Sequence, residues 1–274
     1  MTVRIVTDSS CDLDAATCEE HGIEVVPLSI RFGNDEFEDR SELSAQGFYN
    51  LMGERDELPE TAAPSPGKFE AAIRRQADAG ADAVVCINLS SELSATMAAA
   101  QNAARAIGDD IDVRVLDSKS ITAGLGTQVL RAATAAADGA SADDIVALIE
   151  DLAARTRVFG SLDTLDNLKK GGRIGGAQAM LGSLLSIKPM IDISTGVVEE
   201  AGKARTRKKG MVALREMIPP ADQIEDLAIM HGMAPDIDDM LSLLDGYTYR
   251  LGHIGAVIGS HGGPRVIGAC WLDR

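Results

Sequence analysis

Three times in the first 122 residues, a short run of apolar, largely β-branched residues ends in a cluster of hydroxyl side chains and gives way to a helical pattern. Val3–Val6 runs into Thr7-Asp8-Ser9-Ser10, Ala83–Asn88 into Leu89-Ser90-Ser91 with Ser94, and Val113–Leu116 into Asp117-Ser118 and on to Thr122. Strand, polar turn and helix in alternation mark βα units, whose strands lie parallel in one sheet. All such junctions then fall on the carboxyl edge, where open α/β sheets bind their ligands. Val25–Ile30 reads as one further strand.

The helices are punctuated clearly. Ser65-Pro66 sets a capping residue and a proline at the start of a helix running to Gly80, with Phe69, Ala72, Ile73 and Ala77 on its buried face. Others are expected from Ser94 to Ile107, from Thr122 to about Ala137 and from Ser141 to Arg155. Past Arg155 glycine is denser, and short β-like runs (Pro189–Ile193, Gly196–Glu199, Ala228–His231, Arg250–Ile258) mix with helices near Lys208–Met217 and Asp236–Leu244. The expected organisation is a two-domain α/β protein: an N-terminal α/β domain over residues 1–155 on a parallel sheet, and a C-terminal mixed α/β domain over 156–274. Asn34–Arg40, dense in charge, reads as a surface loop or short hairpin.

Aromatic residues make up only 3% of the 274, so the core must be built from Ala, Val, Ile, Leu and Met. With 26 basic and 42 acidic residues, the formal net charge of −16 repels nucleic-acid phosphates and anionic lipid except at a local basic patch. A DNA-associated regulator is disfavoured on that ground. Eight of the 26 basic residues gather in two short segments: Lys169, Lys170 and Arg173, then Lys203, Arg205, Arg207, Lys208 and Lys209. They read as a solvated face or as an anion or docking site, with Gly171-Gly172 as a flexible, exposed loop. The sequence shows no signal-peptide pattern and no spanning apolar run, so the expected compartment is the cytoplasm. Neither the cysteines nor the histidines have metal-ligand spacing, and no cofactor is expected.

The common nucleotide and nucleophile motifs are missing. There is no GxxxxGK[ST] loop, no GxGxxG, since Gly124 with Gly126 is too short a match, and no Gly-x-Ser-x-Gly elbow. What remains are hydroxyl groups at helix starts, which can cap their own helices or, with nearby amides and the helix dipole, hold an anion. His261, flanked by Gly259 and Gly262-Gly263-Pro264 after the apolar run Ile254–Ile258, reads as a histidine on a glycine-rich turn. It could approach a ligand closely or simply bond to backbone. Ser260 with His261 is the alternative, enzymatic reading, as a hydrolase or phosphotransferase.

Several segments, in order along nearly the whole chain, resemble the DegV family. They are Thr7-Asp8-Ser9-Ser10-Cys11-Asp12-Leu13, Thr61-Ala62-Ala63-Pro64-Ser65-Pro66, Ser90-Ser91-Glu92-Leu93-Ser94, Leu116-Asp117-Ser118-Lys119, Leu168-Lys169-Lys170-Gly171-Gly172-Arg173, Gly202-Lys203-Ala204-Arg205 and Gly259-Ser260-His261-Gly262-Gly263-Pro264. In family terms they form a single unit over about residues 3–273. The resemblance implies a protein that binds a long-chain fatty acid, such as palmitate, between its two domains. It implies a ligand-binding subunit that catalyses nothing itself and presents the acyl carboxylate to a separate, ATP-binding fatty acid kinase subunit. By that resemblance Thr61, Ser94 and His261 bind the carboxylate, and Arg173, Lys203 and Arg205 form the site rim or dock the partner. Neither nucleic acid nor stable membrane insertion is implied. The chain departs from the family pattern at Thr61-Ala62-Ala63, where a Ser usually follows the Thr, and at Ser94-Ala95, where a Gly usually follows the Ser.

Overall fold

The computed structural model describes residues 2–180 and 187–274. Strand β1 (Val3–Asp8) leads through a 3₁₀ turn to α1 (Ala15–Glu20) and β2 (Glu24–Val26). Then come β3 (Ser29–Phe32), β4 (Asp35–Glu38), α2 (Ala45–Glu54), β5 (Glu60–Ala62), α3 (Pro66–Asp78), β6 (Ala83–Asn88), α4 (Thr96–Ile107) and β7 (Asp112–Asp117). Helices α5 (Thr122–Ala137) and α6 (Ala142–Arg155) bring the chain to β8 (Thr156–Ser161). The remaining elements are α7 (Asp166–Lys170), β9 (Lys188–Asp192), β10 (Glu199–Ala204), α8 (Arg207–Met217), β11 (Ile224–His231), α9 (Ile237–Leu241), β12 (Arg250–His253), α10 (Ala256–Gly262) and β13 (Ile267–Asp273).

The βα junctions do generate one parallel sheet, in the order β2-β1-β6-β7. Every residue of β6 is buried, because α3 and α4 pack on one face of the sheet and α5 and α6 on the other. That is why its sequence is continuously apolar rather than alternating. A second sheet of six strands, ordered β10-β9-β8-β13-β11-β12, takes all its strands from beyond residue 155. It is mixed: β11 and β12 are parallel and the other pairs antiparallel.

Helix α5 is wedged between the sheets. A Cβ at Gly124 would lie 2.7 Å from Val158 Cγ2 on β8, and one at Gly126 would lie 2.6 Å from the Cys11 carbonyl oxygen beyond β1. The two glycines are thus close packing contacts. The largest apolar cluster runs through this layer and joins both sheets. Against the far face of the six-stranded sheet, α8 and α9 enclose a second cluster that includes Trp271.

Three local expectations are corrected, and the short hairpin expected at Asn34–Arg40 is met. Val25–Ile30 is not one strand: Pro27, which lacks an amide donor, separates β2 from β3, and β3 joins β4 and β5 in a small antiparallel sheet. Asn34–Arg40 contributes strand β4 of that hairpin, which turns at Gly33 with φ +57°. Gly196–Glu199 is largely a turn, with φ +88° at Gly196, and the strand begins at Glu199. Arg250–Ile258 is a strand only to His253, and Gly255 then caps α10, since a short apolar run suits a buried strand and a buried helix equally. Among the described residues no helix is long and apolar enough to cross a membrane.

Candidate functional site

Between the carboxyl edge of the parallel sheet and the facing side of the six-stranded sheet lies an apolar cleft with about 980 Å³ of empty space, counting its open mouth. Its walls come from β5, the β6–α4 connection, the start of α5, α10 and strands β8, β9 and β13. Among the described residues, five of those lining it carry polar side chains: Thr61, Ser94, Thr122, Arg173 and His261.

Thr61 Oγ1 and His261 Nε2 lie 3.0 Å apart, a hydrogen bond between residues 200 positions apart in sequence. Thr61 stands at the junction between β5 and α3. It lies within β5, paired with Ile30, four residues before Ser65. His261 is not on a turn but in the last turn of α10. Burial, and secondarily the Arg173 charge, push its pKa down to about 4, so the imidazole is neutral at physiological pH. In the Nε2–H tautomer the ring donates to Thr61 Oγ1, and the threonine hydroxyl hydrogen is free to point into the cleft. Nδ1 is buried and has no hydrogen-bond partner among the described residues.

The room for that ring comes from Gly171, where a Cβ would lie 2.3 Å from His261 Nδ1 and 2.7 Å from its Cε1. The Gly171-Gly172 pair therefore includes the wall behind the imidazole, which its composition alone did not reveal. Arg173, two residues on, is half-buried. Its Nη1 donates to the Gly171 carbonyl at 2.6 Å and its Nε to the Leu93 carbonyl at 3.0 Å. The arginine thus ties the wall behind His261 to the segment that carries Ser94. Ser94 Oγ accepts the Thr96 amide at 3.3 Å and is 2.8 Å from Thr96 Oγ1. Helix α4 begins at Thr96 rather than at Ser94, with Ala95 as its N-cap, so Ser94 stands just ahead of the helix and faces the cleft near the positive end of its dipole. Thr61 and His261 touch directly, and Arg173 links that pair to Ser94 through the Gly171 and Leu93 backbone, at one side of an otherwise greasy chamber. Ser94 and Arg173 also line an open depression outside it, with Ser91 and Gly175.

The fifth polar group is already committed. Thr122 Oγ1 donates to Asp12 Oδ2 at 2.6 Å, while Asp12 Oδ1 accepts the Gly255 amide at 3.0 Å. Desolvation pushes the buried Asp12 up to about 7. The Asp12 carboxylate thereby anchors the start of α10, whose other end carries His261; the sequence marks it only as part of the Thr7–Leu13 segment.

Lys203 and Arg205 are exposed on and after β10, and neither lines the cleft or the depression at its mouth. Arg207 is held by Asp236 at 2.6 Å and Asp163 at 3.4 Å with its side chain 12% exposed, so the second basic segment is partly structural. The Ser260–His261 pair does not form: Ser260 Oγ donates back to the Ala256 carbonyl at 2.7 Å. Thr61 with His261 resembles a nucleophile and its base, but a base needs a third group to orient it, and Nδ1 has none among the described residues.

A sequence model described as an uncharacterised protein, DegV family, matches residues 2–274. The chain belongs to the DegV family. A DegV domain-containing protein of Streptomyces coelicolor is 38% identical over 99% of both chains. Among solved DegV structures, one described for the fatty acid binding of a DegV family protein from Thermus thermophilus superposes with a TM-score of 0.89, at 32% identity over 100% of both chains. DegV from Bacillus subtilis, described as a fatty acid binding protein, gives 0.88 at 30% identity, again over the full length of both. A stearic acid-binding protein from Eubacterium ventriosum gives 0.90 at 25% identity, covering 99% of this chain and 98% of that one.

Proposed function

We propose that this DegV protein binds a long-chain fatty acid, with the carboxylate held by Thr61 and Ser94, His261 supporting Thr61 from behind, and the hydrocarbon chain in the cleft. The observation that carries this reading is the linked Thr61, His261, Arg173 and Ser94 group at one side of an apolar chamber. Two hydroxyl donors and a helix N-terminus suit a carboxylate. A neutral imidazole keeps Thr61 oriented without adding a buried positive charge. Burying the tail contributes about 0.8 kcal/mol per methylene before the ordering costs of binding are subtracted. The solved relatives described as fatty-acid-binding support the ligand class.

The role in lipid metabolism is that of a carrier. The open depression beside Ser94 and Arg173 leaves the head group within reach of a second protein, and the partner is a separate, ATP-binding fatty acid kinase subunit that acts on the presented carboxylate. The exposed Lys203 and Arg205 stand as docking residues for it. The chain divides into units 1–155 and 156–274 with the ligand between them, in keeping with the change of sheet at Thr156.

The test is titration of palmitate into wild type, Thr61→Val and Ser94→Ala, with thermal unfolding of each. Both variants are expected to bind at least roughly tenfold more weakly, the loss of a hydrogen bond to a charged group, with an unfolding transition close to wild type. Unchanged affinity in both would refute the head-group assignment.

A further inference from the structure

One lateral row of the six-stranded sheet has a gap on the face turned to the cleft. Ile191 of β9 lies opposite Gly160 of β8, Gly160 opposite Gly268 of β13, and Gly268 opposite Met230 of β11. Two glycines therefore sit side by side at the centre of the sheet. The same-face positions on one side of them are Val158 and Cys270, themselves a cross-strand pair, and those on the other side are Leu162 and Val266. Adjoining apolar side chains thus frame a bare patch of backbone, and both glycines line the cleft.

Glycine weakens a strand, so a pair of them in central strands needs a cause. The backbone supplies none, since neither residue has positive φ. Packing among the described residues supplies none at Gly268, where an added Cβ would meet nothing closer than the Phe159 carbonyl oxygen at 3.4 Å, ordinary contact. At Gly160 the nearest atom would be Ile191 Cγ1 at 3.3 Å, a tight but yielding neighbour. The volume a side chain would have filled at 268 belongs to the cleft. Its position along the cleft follows from α10. The nearest side-chain atom to a Cβ at Gly268 would be Ile254 Cδ1, 4.0 Å away and two residues before the start of α10, whereas His261 lies in its last turn. The five helical steps from Ala256 to His261 rise by roughly 7.5 Å.

We propose that the Gly160–Gly268 pair is the trough that accommodates the acyl chain beyond its head-group end, and that Gly268 sets the length of chain the site accepts. This rests on the fatty-acid reading above and names the residue that limits its substrate class. A side chain at 268 raises the floor, which obstructs a chain long enough to pass over it and leaves a shorter one untouched.

The experiment is a binding ladder of saturated fatty acids from octanoate to stearate on wild type, Gly268→Ala and Gly268→Val, with unfolding midpoints for each. Gly268→Val is expected to weaken stearate at least tenfold and octanoate less than twofold, with Gly268→Ala intermediate. If the valine variant does not fold, the alanine variant carries the test, because its added carbon makes only ordinary contacts. A length profile unchanged from wild type, or an equal loss at every length, overturns the trough while leaving fatty-acid binding intact. Wild type that binds no acid in the ladder overturns both.

Discussion

Gly171→Ala tests the wall behind His261 with one carbon atom. The backbone at Gly171 has φ −71° and ψ −8°, right-handed helical values that alanine adopts without strain. Its Cβ, however, would lie 2.3 Å from His261 Nδ1, where ordinary contact starts at 3.4 Å, so the ring must retreat by about 1.1 Å. A movement of that size breaks the 3.0 Å contact between Nε2 and Thr61 Oγ1. Thr61 then loses the partner that aims its hydroxyl at the carboxylate. A hydrogen bond to a charged group is worth about 1.5–3 kcal/mol, which at 1.4 kcal/mol per decade is a loss of roughly 10- to 150-fold in affinity. Calorimetric or fluorescent fatty-acid titration reads the affinity, and thermal unfolding shows that the fold persists. A folded Gly171→Ala protein that binds within twofold of wild type would refute the role given to the His261–Thr61 pair.

Two further perturbations address the scaffold. Gly124→Ala places a Cβ 2.2 Å from Ser120 Oγ and 2.7 Å from Val158 Cγ2, and overpacking of this kind costs about 1–3 kcal/mol, outweighing a helix-propensity gain of up to about 1. Urea unfolding is expected to show a lower midpoint, and a higher one would mean that α5 is not wedged. Asp12, with its folded pKa raised from 3.8 to about 7, contributes stability that is fully present below pH 4 and lost as the pH rises through 7, because the unfolded chain gives up that proton first. Asp39 and Arg40 are the charged groups acting on it, the first raising and the second lowering its pKa. The stability of wild type relative to Asp12→Asn should therefore fall between pH 4 and 7, and a difference that is flat or rises over that window would contradict the assignment.

The parallel sheet was legible because its strands are short apolar runs closed by hydroxyl clusters, and because Pro66, Gly80 and Ser141 mark helix ends. What escaped notice was set by partners distant in sequence. Thr61 is drawn into a strand by pairing with Ile30, and His261 ends a helix because Asp12, more than 240 residues earlier, accepts the amide of Gly255. Gly171 carried a signal of composition, but its purpose appears only when the imidazole lies against it. Gly160 and Gly268 interrupt apolar strands, the one mark by which a close approach could have been suspected. The two basic segments share one composition, and the fold divides them: Arg173 goes to the cleft, Arg207 to Asp236, and Lys203 and Arg205 to the surface.

The most direct measurement of ligand class is mass analysis of the lipid released when purified protein is denatured, followed by titration of the emptied and refolded chain. A long-chain free fatty acid at close to one molecule per chain, rebinding on titration, is the predicted result. A protein that releases no acid and takes up none from solution would contradict it.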